Sequence, residues 1–444
     1  MNAMSPQENL LDAFSEEKFE EVRALMEELH PSEIADLLES LPPKDRENLW
    51  DLIEPTLGGD VLTEVQDPVR SALLETMQPQ EVADVTKDLE SDDAADILQD
   101  LPEDVIATVL ASMDALNRER LASILSYAED SAGGLMNVDV VPVRADVTLD
   151  VVSRYLRQLG EIPDQTDNLM VVDRENHYLG VLPLADILTK KADTSVGENM
   201  IEESGIHADT AKHDVARIFE QRDWFSAGVV DDDNRLLGRI TIDDVIDVIQ
   251  EEAEQTVRSM AGLGEDDMFA PVLTTAKRRT IWLGINLMTA LLASWVIGRF
   301  SDTIEQLVAL AVLMPIVASM GGIAGSQTLT IAIRGIALGQ ISKTNSRILM
   351  NKEVAVGVLN GIIWATVVAV VASLWFEDKS LGAIIGLAMI INLIIAALAG
   401  ALIPLTLKRF GVDPAIAGGV LLTTITDVVG FMIFLGLATF FLIS

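Results

Sequence analysis

The stretch Thr423-Thr424-Ile425-Thr426-Asp427-Val428-Val429-Gly430 places one carboxylate inside the apolar run 416–443. A run of that length is long enough to cross a membrane as a helix. An ionised Asp at that depth costs on the order of 3 kcal/mol unless it faces water, a partner or a cation. We therefore predict that Asp427 serves transport or proton chemistry. The alternative is an Asp that is hydrogen-bonded inside a helix bundle.

The charge is divided unevenly between two parts of the chain. Residues 271–444 contain 11 Lys and Arg against 7 Asp and Glu, a net charge of +4. Subtraction from the whole-chain totals of 31 and 69 leaves 20 basic and 62 acidic residues in 1–270, a net charge of −42. We expect this first part to be soluble, to repel nucleic acid and to attract cations. Solubility alone, or salt adaptation of the host, is the alternative explanation of the acidity.

Several classes of function are excluded by the residues that are missing. The chain has no cysteine, which excludes thiolate metal sites and leaves cations bound by oxygen open. Residues 1–20 are polar and acidic and lack the apolar core of a signal peptide, so the acidic part is expected to stay in the cytoplasm. The sequence has no Ser/His/Asp or phosphate-loop constellation, and we do not expect an enzyme.

Apolar runs predict five membrane-spanning helices, at 280–299, 306–337, 354–376, 381–407 and 416–443. Basic residues cluster before the first run, from the end of the second run to the start of the third, and between the fourth and fifth: Lys277, Arg278, Arg279, Arg334, Lys343, Arg347, Lys352, Lys408 and Arg409. The positive-inside rule then places the N-terminus in the cytoplasm and the C-terminus outside. Five spans are few for a pore within one subunit, so a homodimer with a pore on or near its two-fold axis is the economical arrangement.

Small and polar residues also cluster within the spans. The stretch Gly321-Gly322-Ile323-Ala324-Gly325-Ser326-Gln327-Thr328 either breaks the second helix, so that carbonyls face a cavity, or lets neighbouring helices pack closely. Asn286, Asn360 and Asn392 are expected to form hydrogen bonds between helices.

The cytoplasmic part contains a duplicated module. Residues 170–188, MVVDRENHYLGVLPLADIL, and 228–246, GVVDDDNRLLGRITIDDVI, match at a fixed offset of 58. Each is predicted to form a strand, an Asp/Asn turn, a second strand and a helix that begins at an Asp.

The pair resembles tandem CBS domains, which often bind adenine nucleotides such as ATP or AMP. The resemblance implies a nucleotide site at Thr241 and Asp244, with Asp186 in the first module, where Pro183 replaces the expected hydroxyl. Helix N-capping is the alternative role of both Asp residues.

The remaining cytoplasmic residues are predicted to be helical. The similar stretches 33–37, 81–85 and 93–97, with Leu-Pro stops at 41–42 and 101–102, predict short stacked helices in a superhelical array. From Asp244 to Glu254 an acidic helix is expected to leave the second module toward the first span. Such a helix suits a gate, because a bound divalent cation would relieve its self-repulsion.

The complete order of segments resembles the MgtE family of magnesium channels along essentially the whole chain. The supporting stretches are 127–136, 321–328, 413–415 and 423–431. The expected fold is an all-α superhelical N-terminal domain, an α/β tandem CBS pair and an α-helical transmembrane domain with five spans. The expected boundaries are 1–132 for the N-terminal domain, 133–199 and 200–253 for the CBS domains, 254–276 for the connecting helix and 277–444 for the pore domain.

The resemblance also implies the sites. It implies a homodimer in the bacterial cytoplasmic membrane whose pore recognises hydrated Mg²⁺ through Asp427, with Gly419, Thr423 and Thr424 lining the same place. Regulatory Mg²⁺ that holds the pore shut is implied at Asp92, Asp96, Asp223, Asp244, Asp247, Glu252 and Asp413. The chain departs from the family pattern at Ala211, His213, Gln255 and Thr256, where carboxylates are expected, and at Ile323, where an Asn is usual. Neighbouring Glu251, Glu254 and Asp243 are candidates to substitute.

Two other functions compete with a Mg²⁺ channel. One is a proton-coupled secondary transporter of divalent cations that uses Asp427 as a proton relay. The other is a membrane-anchored nucleotide receptor in which the spans serve only as an anchor. The sequence leaves selectivity among Mg²⁺, Mn²⁺, Co²⁺ and Ni²⁺ open.

Overall fold

The structure is a computed structural model that describes residues 6–263, 269–342 and 344–443. Residues 264–268 of the predicted connecting segment, Lys343 and the side chain of Arg278 lie outside the described residues. The chain forms two compact units. The first runs to Glu254, and the second contains residues 255–263 and everything from Pro271 onward.

The N-terminal domain is helical, as predicted. Proline stands in the first turn of each helix from α3 to α7, where its missing N–H has no helical partner to lose. Helices α3, α5, α7 and α9 pack each on the next, which gives a stacked array. The described helices are α1 (Pro6–Ser15), α2 (Phe19–Met26), α3 (Pro31–Ser40), α4 (Pro43–Trp50), α5 (Pro55–Glu64), α6 (Asp67–Leu74), α7 (Pro79–Val85), α8 (Ser91–Gln99), α9 (Glu103–Ser112) and α10 (Ala115–Ile124).

The duplicated module forms two small sheets, which confirms the α/β pair. The first sheet has the order β1-β2-β3-β4 and the second β5-β6-β7, each with one parallel pair followed by antiparallel pairing. The turn residues Asn176 and Asn234 both have positive φ, 67° and 60°, at the offset of the repeat. The elements are β1 (Pro142–Arg144), α11 (Leu149–Leu159), β2 (Asn168–Val172), β3 (Tyr178–Pro183), α12 (Leu184–Thr189), α13 (Val196–Asn199), β4 (Ile201–Glu202), β5 (Ile206–His207), α14 (Lys212–Arg222), β6 (Ser226–Val230), β7 (Leu236–Thr241) and α15 (Ile242–Met260).

The N-terminal domain and the second CBS module share one hydrophobic core. Leu98 of α8 and Ile124 of α10 belong to the same buried cluster as Ile240 of β7 and Val248 of α15. This core holds the beginning of α8 close to the beginning of α15. The helix α15 also runs across the predicted boundary between 253 and 254, and the domain boundaries stay predictions.

Five helices in the described part of the chain are long and apolar enough to cross a membrane, in agreement with the five predicted spans. Helix α20 is the central one, since α18, α19 and α21 all pack on it. The elements of this part are α16 (Val272–Gly298), α17 (Ser301–Gln306), α18 (Ala309–Ala337), α19 (Ser346–Trp375), α20 (Lys379–Arg409) and α21 (Pro414–Ala438), followed by a π-helical turn at Thr439–Ile443.

The glycine-rich stretch of the second span does not break its helix. Helix α18 is continuous through residues 321–328, so the broken-helix interpretation is wrong, and close packing is the role of Gly321 and Gly325. A Cβ at Gly321 would lie 2.3 Å from Asn392 Nδ2 of α20, and one at Gly325 would lie 2.8 Å from Leu422 Cδ1 of α21. Small residues let the helices approach to that distance.

Candidate cation sites

Asp427 lies next to the buried line of α21, not on it. The buried line of this helix consists of residues four apart: Gly418, Leu422, Thr426, Gly430 and Phe434. Gly419, Thr423 and Asp427 form the neighbouring line, in which Thr423 is exposed and the other two are half-buried. In the described part of the chain, the Asp427 carboxylate makes no hydrogen bond or ion pair. The structure therefore does not support a hydrogen bond inside the bundle as the role of Asp427.

The threonine hydroxyls near Asp427 point their protons back into the helix. Thr423 Oγ1 donates to Gly419 O at 3.0 Å, and Thr424 Oγ1 donates to Val420 O at 2.7 Å. A hydroxyl that donates in this way keeps its oxygen lone pairs as acceptors. The line of Gly419, Thr423 and Asp427 therefore presents a carboxylate and a hydroxyl oxygen outward, and both accept hydrogen bonds.

Asn392 joins three of the membrane helices behind this line. It is 1% exposed, and its Nδ2 donates to Val317 O of α18 at 2.9 Å, which confirms the predicted bond between helices. A Cβ at Gly430 of α21 would lie 2.9 Å from the same Nδ2, so only a glycine leaves room for the amide. The prediction was wrong for Asn286, whose Nδ2 donates to a carbonyl of its own helix.

The sequence analysis missed a second carboxylate among the membrane helices. Glu353 of α19 is 4% exposed, and its Oε2 accepts a hydrogen bond of 3.1 Å from Thr328 Oγ1 of α18. Its Oε1 lies 3.5 Å from Lys352 Nζ. The third span was predicted to begin at residue 354, whereas α19 begins at Ser346, and this difference placed Glu353 outside the span.

The first unit gathers carboxylates from three helices where α8 meets α15. We call Asp60 and Glu64 of α5, Asp92 and Asp93 of α8, and Asp243, Asp244 and Asp247 of α15 the carboxylate cluster. Asp92 is only 6% exposed, while Asp93 and Asp244 are partly buried. Within the described residues no Lys, Arg or His forms an ion pair with this cluster. Sequence reasoning predicted Asp92, Asp244 and Asp247 but missed the acidic residues of α5.

Burial first, and mutual repulsion second, raise the pKa values of three carboxyls in the cluster. Burial, followed by the charge of Asp244, raises the pKa of Asp92 well above its usual range. Burial and the charges of Glu90 and Asp243 raise the pKa of Asp93 to about 6. Burial, with the charges of Asp243 and Asp93, raises the pKa of Asp244 to about 8. Carboxyls placed in this way need a proton or a cation beside them. An all-oxygen donor set fits Mg²⁺ or Ca²⁺.

The middle of α15 already has a positive partner. Lys212 Nζ lies 2.9 Å from Glu251 Oε2 and 2.9 Å from Asp130 Oδ1, so one ammonium group bridges α15 to the segment before the first CBS sheet. Burial raises the pKa of the neighbouring Glu252, and the charges of His213 and Lys212 oppose this rise without cancelling it. Here basic residues lie beside the predicted ligand Glu252.

The other predicted ligands lie in separate surroundings. Burial raises the pKa of Asp96 to about 7, against the charge of Arg70. Asp223 is exposed at the end of α14 with a left-handed φ of 53°. Asp413 is exposed and caps α21, because its Oδ1 accepts a bond of 2.8 Å from Ala415 N.

Comparison with known proteins decides the family. Three family models match: the MgtE intracellular N domain at 29–130, the CBS domain at 132–193 and 205–251, and MgtE, a divalent cation transporter, at 314–437. The magnesium transporter MgtE of Bacillus subtilis is 32% identical over 338 residues, which cover 76% of this chain and 75% of that protein. The chain belongs to the MgtE family. This confirms the predicted resemblance, and a transporter family agrees with the expectation that the chain is not an enzyme.

Two further MgtE relatives match this chain. The magnesium transporter MgtE of Thermus thermophilus is 31% identical over 330 residues, 73% of this chain and 73% of that protein. The crystal structure of the cytosolic domain of the Mg²⁺ channel MgtE in complex with ATP matches with a TM-score of 0.50 and 30% identity, over 54% of this chain and 98% of that one.

The residues predicted for nucleotide are engaged with one another in this MgtE chain. Thr241 is 4% exposed, and Asp244 Oδ2 accepts hydrogen bonds from its N and its Oγ1, both at 3.0 Å. Asp186 of the first module lies at the start of α12, 4.0 Å from Lys190 Nζ. Asp244 therefore caps the start of α15 and also belongs to the carboxylate cluster.

Proposed function

We propose that this protein carries Mg²⁺ across the membrane as a channel in which Asp427 recognises the hydrated ion. The observation that carries the proposal is the half-buried Asp427 carboxylate, which makes no hydrogen bond or ion pair within the described residues. An ionisable residue among membrane helices marks a transport path more often than a packing site. The relatives described as magnesium transporters support Mg²⁺ as the ion.

The polar groups on this face suit an ion that keeps its water. Mg²⁺ sheds its water reluctantly, and water bound to a cation turns its hydrogens outward. A site for the hydrated ion must therefore offer hydrogen-bond acceptors. The Asp427 carboxylate and the Thr423 hydroxyl oxygen, whose proton is held by Gly419 O, are acceptors of this kind.

We propose that two copies complete the pore. The line of Gly419, Thr423 and Asp427 stays partly exposed in the described chain, and a two-fold related α21 would bring two carboxylates to one hydrated ion. The basic residues at the ends of the spans support a cytoplasmic N-terminus and an external C-terminus. The protein is then a multi-pass protein of the bacterial cytoplasmic membrane.

We also propose that Mg²⁺ closes this pore by binding the carboxylate cluster. The cluster joins α5 and α8 of the N-terminal domain to α15, and α15 continues to Met260 in the membrane unit. A cation between these helices offsets their repulsion and favours the packed arrangement, whereas an empty cluster favours separation. Such differential binding is what allows a ligand to shift a conformational equilibrium. Asp96, Asp223, Glu252 and Asp413 are further proposed contributors.

A nucleotide at the CBS pair is a second proposed ligand, supported by the homologous cytosolic domain in complex with ATP. A ribose that binds Asp244 in this chain meets a carboxylate whose Oδ2 already accepts two hydrogen bonds from Thr241. Isothermal titration of the full-length protein with ATP tests the site. Thr241→Val removes one of these bonds and is expected to change ATP affinity. An unchanged affinity would place nucleotide binding elsewhere.

Growth of a bacterium that lacks Mg²⁺ uptake tests the main proposal. The wild-type gene is expected to rescue growth at low Mg²⁺, and Asp427→Ala is expected to fail although the protein reaches the membrane. Asp302→Ala, which removes an exposed carboxylate of α17, is the matched control and should rescue. Rescue by Asp427→Ala at the wild-type Mg²⁺ concentration would contradict the proposed role of Asp427.

A further inference from the structure

A concave site lies in the second unit at the place where α15 ends. Its volume is about 240 Å³, and its walls are the last turn of α15, the first half of α16 and the first turn of α21. The side chains that line it are Gln255, Arg258, Ser259, Leu263, Trp282 and Ile416. None of these described residues is acidic, although the chain as a whole has a net charge of −38. The site therefore has a positive charge in a strongly negative protein.

The end of α15 is built against Trp282. Gly262 has a φ of +68°, its N–H donates to Ser259 O at 3.0 Å, and Leu263 N donates to Arg258 O at 2.9 Å. This is the glycine-terminated helix end in which two carbonyls of the last turn are satisfied by the backbone. A Cβ at Gly262 would lie 3.4 Å from the Trp282 ring, so the glycine also brings the turn into contact with the indole.

Arg258 supplies the positive charge of this site, and its Nε has no hydrogen-bond acceptor within the described residues. Its Nε is buried and has no hydrogen-bond partner, and within the described residues its guanidinium forms no ion pair. A cation in the last turn of a helix interacts favourably with the carbonyl end. That interaction explains the positive charge at this position, but it leaves the buried Nε without an acceptor. Buried N–H groups normally have one.

The shape of the guanidinium and the opposite wall indicate the ligand. A guanidinium binds phosphate oxygens through parallel N–H donors, and Gln255 and Ser259 offer further polar contacts. The wall formed by Leu263, Trp282 and Ile416 is apolar, which a free inorganic ion does not need. The ligand should therefore have a phosphate at one end and an apolar portion at the other.

The position along α16 favours a membrane lipid. Trp282 lies in the first half of a span, three residues after Arg279, and Trp with basic residues is typical of the membrane–water interface. Basic pockets between helices at the cytoplasmic side bind anionic headgroups. We propose that the groove between Arg258 and Trp282 binds the phosphate headgroup of an anionic phospholipid. The bound lipid ties the end of the connecting helix to the membrane surface, independently of Asp427 and of the carboxylate cluster.

Native mass spectrometry of the full-length protein with added phosphatidylglycerol tests this site. We expect the wild type to bind phosphatidylglycerol more tightly than phosphatidylcholine, and Arg258→Gln to weaken that preference about tenfold, because a charged hydrogen bond is lost. Arg347→Gln removes the same charge at the exposed start of α19 and should leave binding unchanged. Arg258→Lys keeps the charge and should keep part of the preference.

The outcomes separate the two sources of phosphate. If inorganic phosphate competes with the lipid and its binding depends equally on Arg258, the anion site stands and its ligand is a free phosphate compound. If both Arg258 variants bind phosphatidylglycerol as the wild type does, or if the wild type does not prefer it over phosphatidylcholine, the inference is wrong. Unchanged thermal unfolding of Arg258→Lys ensures that the comparison is made on folded protein.

Discussion

Asp427 and Glu353 are both carboxylates of the membrane helices, but their surroundings are opposite. Glu353 is 4% exposed and accepts a hydrogen bond from Thr328, with Lys352 nearby. Asp427 is half-buried and makes no such contact within the described residues. A buried carboxylate with partners holds helices together, whereas one without partners is available to an ion.

The same contrast recurs along α15. Glu251 is bridged to Asp130 by Lys212, at 2.9 Å on either side, so this region carries its own cation. Asp244, two turns earlier, meets Asp92 and Asp93 with no basic partner among the described residues. We interpret the first region as a permanent contact and the second as one that depends on a metal. The distinction between a permanent contact and a metal-dependent contact can be tested by substitution.

Removal of the paired carboxylate should destabilise the membrane domain. Glu353→Leu leaves the Thr328 hydroxyl buried without a partner, which is expected to lower the free energy of unfolding by about 1–3 kcal/mol. Asp427→Leu removes an unpaired charge and should leave stability unchanged or raise it. Thermal unfolding of the two variants in the same detergent measures the difference. Equal losses of stability would show that Asp427 is also held by partners.

Neutralising the unpaired cluster should remove the Mg²⁺ dependence of the first unit. Asp92→Asn with Asp244→Asn relieves the repulsion, so trypsin resistance in chelator is expected to match that of the wild type in Mg²⁺. Limited proteolysis with and without Mg²⁺ measures this, and added Mg²⁺ should give the double variant no further protection. Asp104→Asn with Glu119→Gln changes the same charge at exposed positions and is the control. A double variant that still requires Mg²⁺ would assign the metal to another set of residues.

Removing the ammonium group of Lys212 should have a smaller effect on Mg²⁺ dependence than neutralising the carboxylate cluster, and in the opposite direction. Lys212→Gln leaves Glu251 and Asp130 facing each other, and a partly exposed ion pair is worth about 1 kcal/mol or less. The variant is expected to be more sensitive to protease in chelator and to recover when Mg²⁺ is added, so its Mg²⁺ dependence should be steeper than that of the wild type. Lys190→Gln removes a lysine at the surface of the first CBS module as a control. Identical proteolysis curves for Lys212→Gln and the wild type would show that the Lys212 bridge does not stabilise the packed arrangement.

The fold followed from the sequence because its signals are local. The five apolar runs and the Leu-Pro stops at 41–42 and 101–102 each depend on residues that are close in the chain, and the repeat at an offset of 58 is visible as two matching stretches. The role of residues 321–328 was left open, because a glycine permits both a break and a close contact. Only the positions of Asn392 and Leu422 on other helices decide that question.

The sites were predictable only in part. Asp427, Asp92 and Asp244 could be proposed from their neighbours and from the family resemblance. Asp60 and Glu64 enter the cluster through the stacking of α5 near α8, which no local pattern reveals. The bridge made by Lys212 is likewise a tertiary contact between residues 39 positions apart in the chain. Glu353 was missed because the helix extends eight residues before the predicted apolar run.

Uptake of Mg²⁺ into proteoliposomes without a proton gradient tests whether the protein is a Mg²⁺ channel that depends on Asp427. The wild type should conduct Mg²⁺ down its own gradient, Glu353→Gln should retain most of that flux, and Asp427→Asn should reduce it about a hundredfold, since a charge that faces the ion is removed at constant volume. A wild type that moves Mg²⁺ only when a proton gradient is present would indicate a secondary transporter. Wild-type flux through Asp427→Asn would contradict the account.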